Sequence, residues 1–220
     1  MIPYRAVLFD FGDTLFASPD GVPLLVEAGF DADRAAALWS RFWAEAKSPA
    51  SLLQGRDLSL EQHRRGWLQI MAPVEADHPG LAARLYDHAI AQESWLPYPD
   101  ARPVLAALHA GGIRIGVVSN IPAALAPLFA EHGLGEVVDV YAESYAVGVV
   151  KPDLELFRSA CERLRVSPAE ALMVGDNPEA DGAGVHIGLT ALILPGVARG
   201  TERGLKAVLP LCGLAAVFVS

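Results

Sequence analysis

Arg5-Ala-Val-Leu-Phe-Asp10-Phe-Gly12-Asp13-Thr14-Leu15 is a short apolar run that ends at an acidic turn. An uninterrupted apolar stretch of this length suits a strand buried on both faces of a parallel sheet, and it would deliver Asp10 at the strand's carboxyl end. Similar runs follow at Ile113 to Ser119, Val137 to Tyr141, Ala171 to Gly175 and Leu189 to Leu194, with a weaker one at Ala215 to Val219. Helical patterns separate them at Pro122 to His132, Asp153 to Leu164 and Pro178 to Ile187, each of crossover length for a right-handed strand-helix-strand unit. The alternation predicts an α/β fold built on a doubly wound parallel sheet, in which ligands sit beyond the carboxyl ends of the strands.

Residues 16 to 96 break this rhythm. They hold no convincing strand, but helical stretches around Asp33 to Ala46, Ser59 to Met71 and Gly80 to Glu93 are separated by Pro and Gly signals. All four tryptophans, Trp39, Trp43, Trp67 and Trp95, fall here, so the segment needs an apolar centre of its own. Trp39 and Trp43 are spaced to share one helix face. The expected organisation is therefore a core of residues 1–15 and 97–220, with 16–96 as an all-helical insertion.

Composition excludes several partners. A formal charge of −9 without any run of Lys or Arg argues against nucleic acid and against an anionic membrane surface. No stretch of about eighteen or more uncharged apolar residues occurs, and the amino terminus lacks the shape of a signal peptide, which places the chain in the cytoplasm. Cys161 and Cys212 have no metal-ligand spacing and read as packing residues. A phosphate group would be repelled at long range by so acidic a protein. Local positive charge would have to come from a divalent cation together with Lys151 and backbone amides.

Four strand ends carry candidate chemistry, and each has an ordinary reading of its own. Asp10 could cap a turn, and Ser119, with Asn120 beside it, could cap the next helix. Lys151, held before Pro152, could be solvated, and Asp176 and Asp181 could flank a capped helix start. Their common placement decides otherwise. Acids, a fixed lysine and a hydroxyl converge at one mouth, as in-line phosphoryl transfer to a carboxylate requires.

With the motifs DFGDTL from Asp10, VVSN from Val117, VKPDLELF from Val150 and VGDNPEADGAG from Val174, the chain resembles the haloacid dehalogenase-like hydrolase superfamily. The resembling members have a Rossmann-like core and a helical cap inserted after the first strand. The resemblance implies that Asp10 is a nucleophile that becomes an aspartyl phosphate, that Ser119 and Lys151 act in catalysis, and that Ser119, Asn120 and Lys151 bind substrate. It implies Mg2+ as cofactor, held by Asp10, the Gly12 carbonyl, Asp176 and Asp181, with Asp181 holding a metal water or orienting Lys151. The expected partner is a small phosphorylated metabolite.

The resemblance breaks at Gly12. Phosphate-ester hydrolysing members carry a second Asp there as general acid and base, and a glycine where this chain has Asp13. Three outcomes follow: Asp13 reaches the leaving group by a rearranged loop, the substrate leaves unaided, or phosphate is bound with little turnover. A one-residue shift redirects a side chain, which favours the last two. Alternatives are a catalytically weak phosphate-binding or regulatory module, and a metal-independent 2-haloacid dehalogenase. Arg41, Arg56, His63, Arg64 and Trp67 in the insertion could contact the distal part of a substrate, but a solvated helix face explains most of them equally well, so none is counted as a site residue; His186 reads as a surface or packing histidine.

Overall fold

A computed structural model describes residues 4–215 of the chain. The strands are β1 (Ala6–Phe9), β2 (Phe16–Ala17), β3 (Leu96–Pro97), β4 (Arg114–Ser119), β5 (Val140–Glu143), β6 (Ala171–Gly175) and β7 (Thr190–Ile193). Five of them form one sheet in the order β5-β4-β1-β6-β7, and each neighbouring pair is parallel. The expected α/β doubly wound core is present. The weak strand expected from Ala215 lies, beyond that residue, outside the described residues.

β1 occupies the centre of the sheet, with Phe9 in register with Val117 on one side and Val174 on the other. Its side chains alternate between two apolar clusters: Val7 and Phe9 join one face, Ala6 and Leu8 the other. That double burial explains the unbroken apolar run, since each fully buried large side chain contributes about 1.5–3 kcal/mol. Gly116 on β4 permits this closeness, because a Cβ there would lie 2.8 Å from Leu8 Cδ2.

The helices are α1 (Val22–Glu27), α2 (Ala32–Ala46), α3 (Pro49–Leu52), α4 (Leu60–Ile70), α5 (Ala72–Glu75), α6 (Leu81–Ile90), α7 (Ala101–Ala110), α8 (Ala126–Glu131), α9 (Ser144–Val147), α10 (Leu154–Leu164) and α11 (Val208–Leu211). No helix among the described residues is long and apolar enough to cross a membrane. The helices from α1 to α6 enclose a separate apolar cluster that includes Leu25, Trp39, Phe42, Trp67 and Leu85. Asp31 caps α2 through the Arg34 amide at 2.9 Å, and Ser59 caps α4 through the Gln62 amide at 3.2 Å. Trp39 and Trp43 do share a face, edge to face at 6.2 Å.

Several elements differ from expectation. The chain enters and leaves the helical insertion through an antiparallel ribbon, β2 with β3, too short to show a period. The helix expected over 122–132 starts only at Ala126: Pro127 cannot donate to an earlier turn, and the preceding segment is tied instead to Ser144 Oγ and Glu143 Oε1 through the amides of Ile121 and Leu125. The helix expected over 178–187 is reduced to a 3-10 segment, Gly182–Ile187. There the Asn177 side chain accepts the amides of Glu179 and Ala180, and Gly182 and Gly184 weaken helix propagation. Helix α7 was not among the expected elements.

Candidate active site

The ends of β1, β4 and β6 and the turn before α10 meet at one cavity of about 230 Å³, whose wall includes Asp10, Gly12, Ser119, Asn120, Lys151 and Asp176, with Asp181 beside them. The Asp10 amide continues the sheet by donating to Val174 O at 2.9 Å, which fixes where its carboxylate emerges. The buried Lys151 ammonium donates to Asp10 Oδ1 at 2.5 Å, to Asp181 Oδ1 at 2.6 Å and to Val118 O at 2.9 Å. Burial alone would lower the Lys151 pKa, but the two carboxylates hold it above its ordinary value. Burial pushes the Asp10 carboxyl up to about 7; Lys151 pulls it down, while Asp181 and Asp176 add to the rise.

The expected site residues thus come together, though two of them are committed to holding others in place. Asn120 clamps the Lys151 peptide, accepting from its N–H at 2.6 Å and donating to its carbonyl at 3.1 Å. Asp181 uses Oδ1 on Lys151 and Oδ2 on the amides of Asp176 at 3.1 Å and Asn177 at 2.9 Å.

Asp13 is turned away from the cavity wall. Its backbone lies in the left-handed region at φ 56, a conformation Asp tolerates better than most residues. Its carboxylate accepts from Lys47 Nζ at 2.8 Å and from the Ser18 amide at 3.0 Å. Burial works to raise its pKa, but the Lys47 ammonium and the Ser18 bonds outweigh it and leave the value below the ordinary one. A group so paired is a poor proton donor near neutrality.

Lys47, at the end of α2, also donates to Asp176 Oδ2 at 2.7 Å. The buried Arg203 donates through Nε to Asp13 O at 2.5 Å, while Asp100 receives the amides of Arg203, Gly204 and Leu205, each at 2.8 Å. Neither Lys47 nor Arg203 belongs to a sequence motif, and no local spacing marks them.

The donor set fits a hard divalent cation. Asp10, Asp176 and Asp181 can each offer one oxygen within 4.8 Å of the others. Fully ionised, the four carboxylates of Asp10, Asp13, Asp176 and Asp181 meet, among the described residues, only the two ammoniums of Lys47 and Lys151, an excess of two negative charges. The carboxyls of both Asp10 and Asp176 are shifted upward, chiefly by burial, with the neighbouring carboxylates adding to the rise and the two ammoniums opposing it.

The helical insertion supplies the opposite wall, including Arg56, His63 and Trp67. These residues are buried or half-buried, so of the two readings left open for them the cavity wall holds and the solvated face does not. Arg64 instead pairs with exposed Asp87, Arg41 lines a different surface depression, and His186 is exposed. The Arg56 guanidinium is bidentate on Asp57 at 2.8 and 2.9 Å. Trp67 Nε1 donates to His63 Nε2 at 3.0 Å, which leaves His63 Nδ1–H to face the Tyr86 hydroxyl at 3.1 Å. Burial depresses the His63 pKa to about 4; Asp57 opposes the shift and Arg56 adds to it.

A pH dependence follows. The unfolded chain takes up the His63 proton near 6.5 and the folded chain only near about 4, so stability is complete above the first value and falls as pH drops through this window. The full loss is about 3 kcal/mol. His63→Gln should flatten that part of the curve in urea titrations between neutral and acidic pH; an unchanged slope would remove His63 as its source.

The profile of the family described as "Hydrolase: haloacid dehalogenase-like hydrolase" matches residues 4–186. Haloacid dehalogenase-like hydrolase domain-containing protein 3 of Mus musculus is 33% identical over 58% of this chain, which spans about half (49%) of that protein's length. Glyceraldehyde 3-phosphate phosphatase of Methanopyrus kandleri is 29% identical over 83% of this chain and 79% of its own. Among solved structures, L-2-haloacid dehalogenase from Xanthobacter autotrophicus superposes with a TM-score of 0.70 at 23% identity, covering 96% of this chain and 83% of that one, a likeness of fold.

Proposed function

The chain belongs to the haloacid dehalogenase-like hydrolases, and from that premise we propose that it is a magnesium-dependent phosphatase acting on a small phosphorylated substrate through an aspartyl phosphate at Asp10. The observation that carries this reading is the Lys151 ammonium shared by Asp10 and Asp181 at the mouth of a cavity that also contains Asp176. The phosphatase names of relatives such as the Methanopyrus kandleri protein support it.

Lys151 holds Asp10 Oδ1, so Oδ2, which receives only a long 3.4 Å contact from Thr14 Oγ1, is the oxygen free to attack phosphorus. Ser119 and Lys151 bind the equatorial oxygens of the transferring group. Asp181 keeps Lys151 in place, and Asn120 fixes its peptide. Asp10, Asp176 and the Gly12 carbonyl would hold the magnesium, with Asp181 behind them; when bound, the ion neutralises phosphate charge and aligns the group with Asp10. Water then cleaves the acyl phosphate. With Gly12 where an acid is usual and Asp13 paired to Lys47, the departing group leaves without a protein proton donor, so substrates with stable leaving groups are favoured. Residues 16–96 act as the cap that excludes water during the first step.

A metal-independent dehalogenase is the second reading. Its support is Lys47, whose ammonium already lies 2.7 Å from Asp176. A panel of phosphate esters, acyl phosphates and 2-haloacids, assayed with magnesium and with EDTA, separates the two. Phosphate release that requires magnesium is expected. Haloacid turnover in EDTA would replace this reading with the dehalogenase, and ligand binding without any turnover would reduce the protein to a binding module.

A further inference from the structure

The cavity wall facing Asp10 is strongly apolar, with contributions from Trp43, Trp67, Trp95, Leu60, Ile90 and Leu128. Trp43 meets Trp67 edge to face at 4.8 Å and Trp95 at 6.2 Å, and Trp95 lies 4.6 Å from Phe11. Such an arrangement presents ring faces and edges that suit another ring.

The cations of this wall are all engaged. Lys151 serves Asp10 and Asp181, and Lys47 serves Asp13 and Asp176. Arg56 is divided among Asp57, Ala46 O and Ser51 Oγ. Burial keeps His63 neutral. A substrate with a carboxylate or second phosphate at its far end would meet no free counter-charge among the described residues here, and a desolvated anion without a partner is costly.

One donor remains. The indole N–H groups of Trp39, Trp67 and Trp95 are bonded to Pro19 O, His63 Nε2 and Ala89 O. The Trp43 N–H is buried without a partner among the described residues, and Trp43 forms part of the wall.

We propose that the cavity selects phosphate monoesters whose distal part is an aromatic or bulky apolar group with one hydrogen-bond acceptor for Trp43, and disfavours substrates with a second anionic end. The proposal rests on the phosphate reading of the Asp10 site. It also agrees with the missing acid, since an aryl oxide leaves more readily than an alkoxide.

Calorimetric titration of the full chain with magnesium and inert phosphonates tests it without turnover. Naphthylmethylphosphonate should bind about tenfold or more tightly than methylphosphonate, as the burial of one ring would give, and phosphonoacetate no more tightly than methylphosphonate. Trp43→Phe, which keeps one ring and removes the N–H, should weaken a quinolinylmethylphosphonate by about threefold to tenfold more than it weakens the naphthyl compound, and equal losses on both would remove the Trp43 hydrogen bond from the inference. Leu60→Arg, at an exposed rim position, should raise the affinity for phosphonoacetate several-fold. Phosphonoacetate binding as tightly as the naphthyl compound would overturn the inference while leaving the phosphate site standing. Failure of methylphosphonate and inorganic phosphate to bind at all would overturn the phosphate reading and this one with it.

Discussion

Lys151→Met is expected to destabilise the fold by about 3–5 kcal/mol at pH 8 in EDTA and to reduce turnover by at least about 10²-fold. The ammonium is nearly fully buried and bonds two carboxylates and a carbonyl, so its removal leaves Asp10 and Asp181 facing one another without a counter-charge. The penalty is the isolation of those charges, larger than the worth of the ion pairs themselves. Its pH dependence has a definite sign. Asp10 already binds its proton more tightly in the folded chain, at about 7 against an ordinary 3.8, and Lys151 is the group that restrains this rise. In the variant the folded-state value climbs further. Stability gained by a protonated Asp10 is present below the unfolded value and lost as pH rises through the folded one. The deficit relative to the parent should therefore be smaller at pH 5 than at pH 8 in urea titrations. A deficit under about 1 kcal/mol at pH 8 would show that the lysine is not the hub described here.

Gly12→Asp is expected to raise kcat/KM on alkyl phosphates by about 10²-fold or more, with little gain on aryl phosphates. General acid assistance is worth about 10² to 10⁴ in rate, and it matters most for alkoxide leaving groups. The position accepts a Cβ: one built at Gly12 would meet Trp95 ring carbons at 3.4 and 3.5 Å, close to ordinary contact, and the backbone there is outside the left-handed region. Asp13 cannot supply the same proton, since Lys47 and the Ser18 amide hold its carboxylate away from the cavity. Parallel assays of a glycerol phosphate and a nitrophenyl phosphate decide the matter. Equal changes on both would mean that proton supply is not what Gly12 lacks.

The strand-end residues were legible in the chain because each follows an apolar run, and the topology of parallel sheets brings such ends to one edge. Asp10, Ser119 and Asp176 needed no more than that; Lys151, expected at a strand end as well, lies instead past α9 in the turn before α10, where Pro152 follows it. Lys47 and Arg203 were not legible, since each reaches the site by a contact between distant segments: Lys47 meets Asp176, and Arg203 meets the Asp13 carbonyl. His63 and Trp67 could be assigned to α4 from its period, but which face of that helix meets the cavity depends on how α4 packs against α2 and α6. Helix lengths were overestimated where side chains, such as Asn177, took backbone amides that a helix would otherwise have used.

The paired hydrogen bonds between the Asn120 amide and the Lys151 peptide join the lysine's loop to the strand that ends in Ser119. Hydroxyl and ammonium are thus mounted on a single jaw, and their spacing is set when the chain folds rather than when a ligand arrives. Under the proposed function a tetrahedral oxyanion held between them would meet groups that need little rearrangement, and loosening either amide contact would blunt both at once.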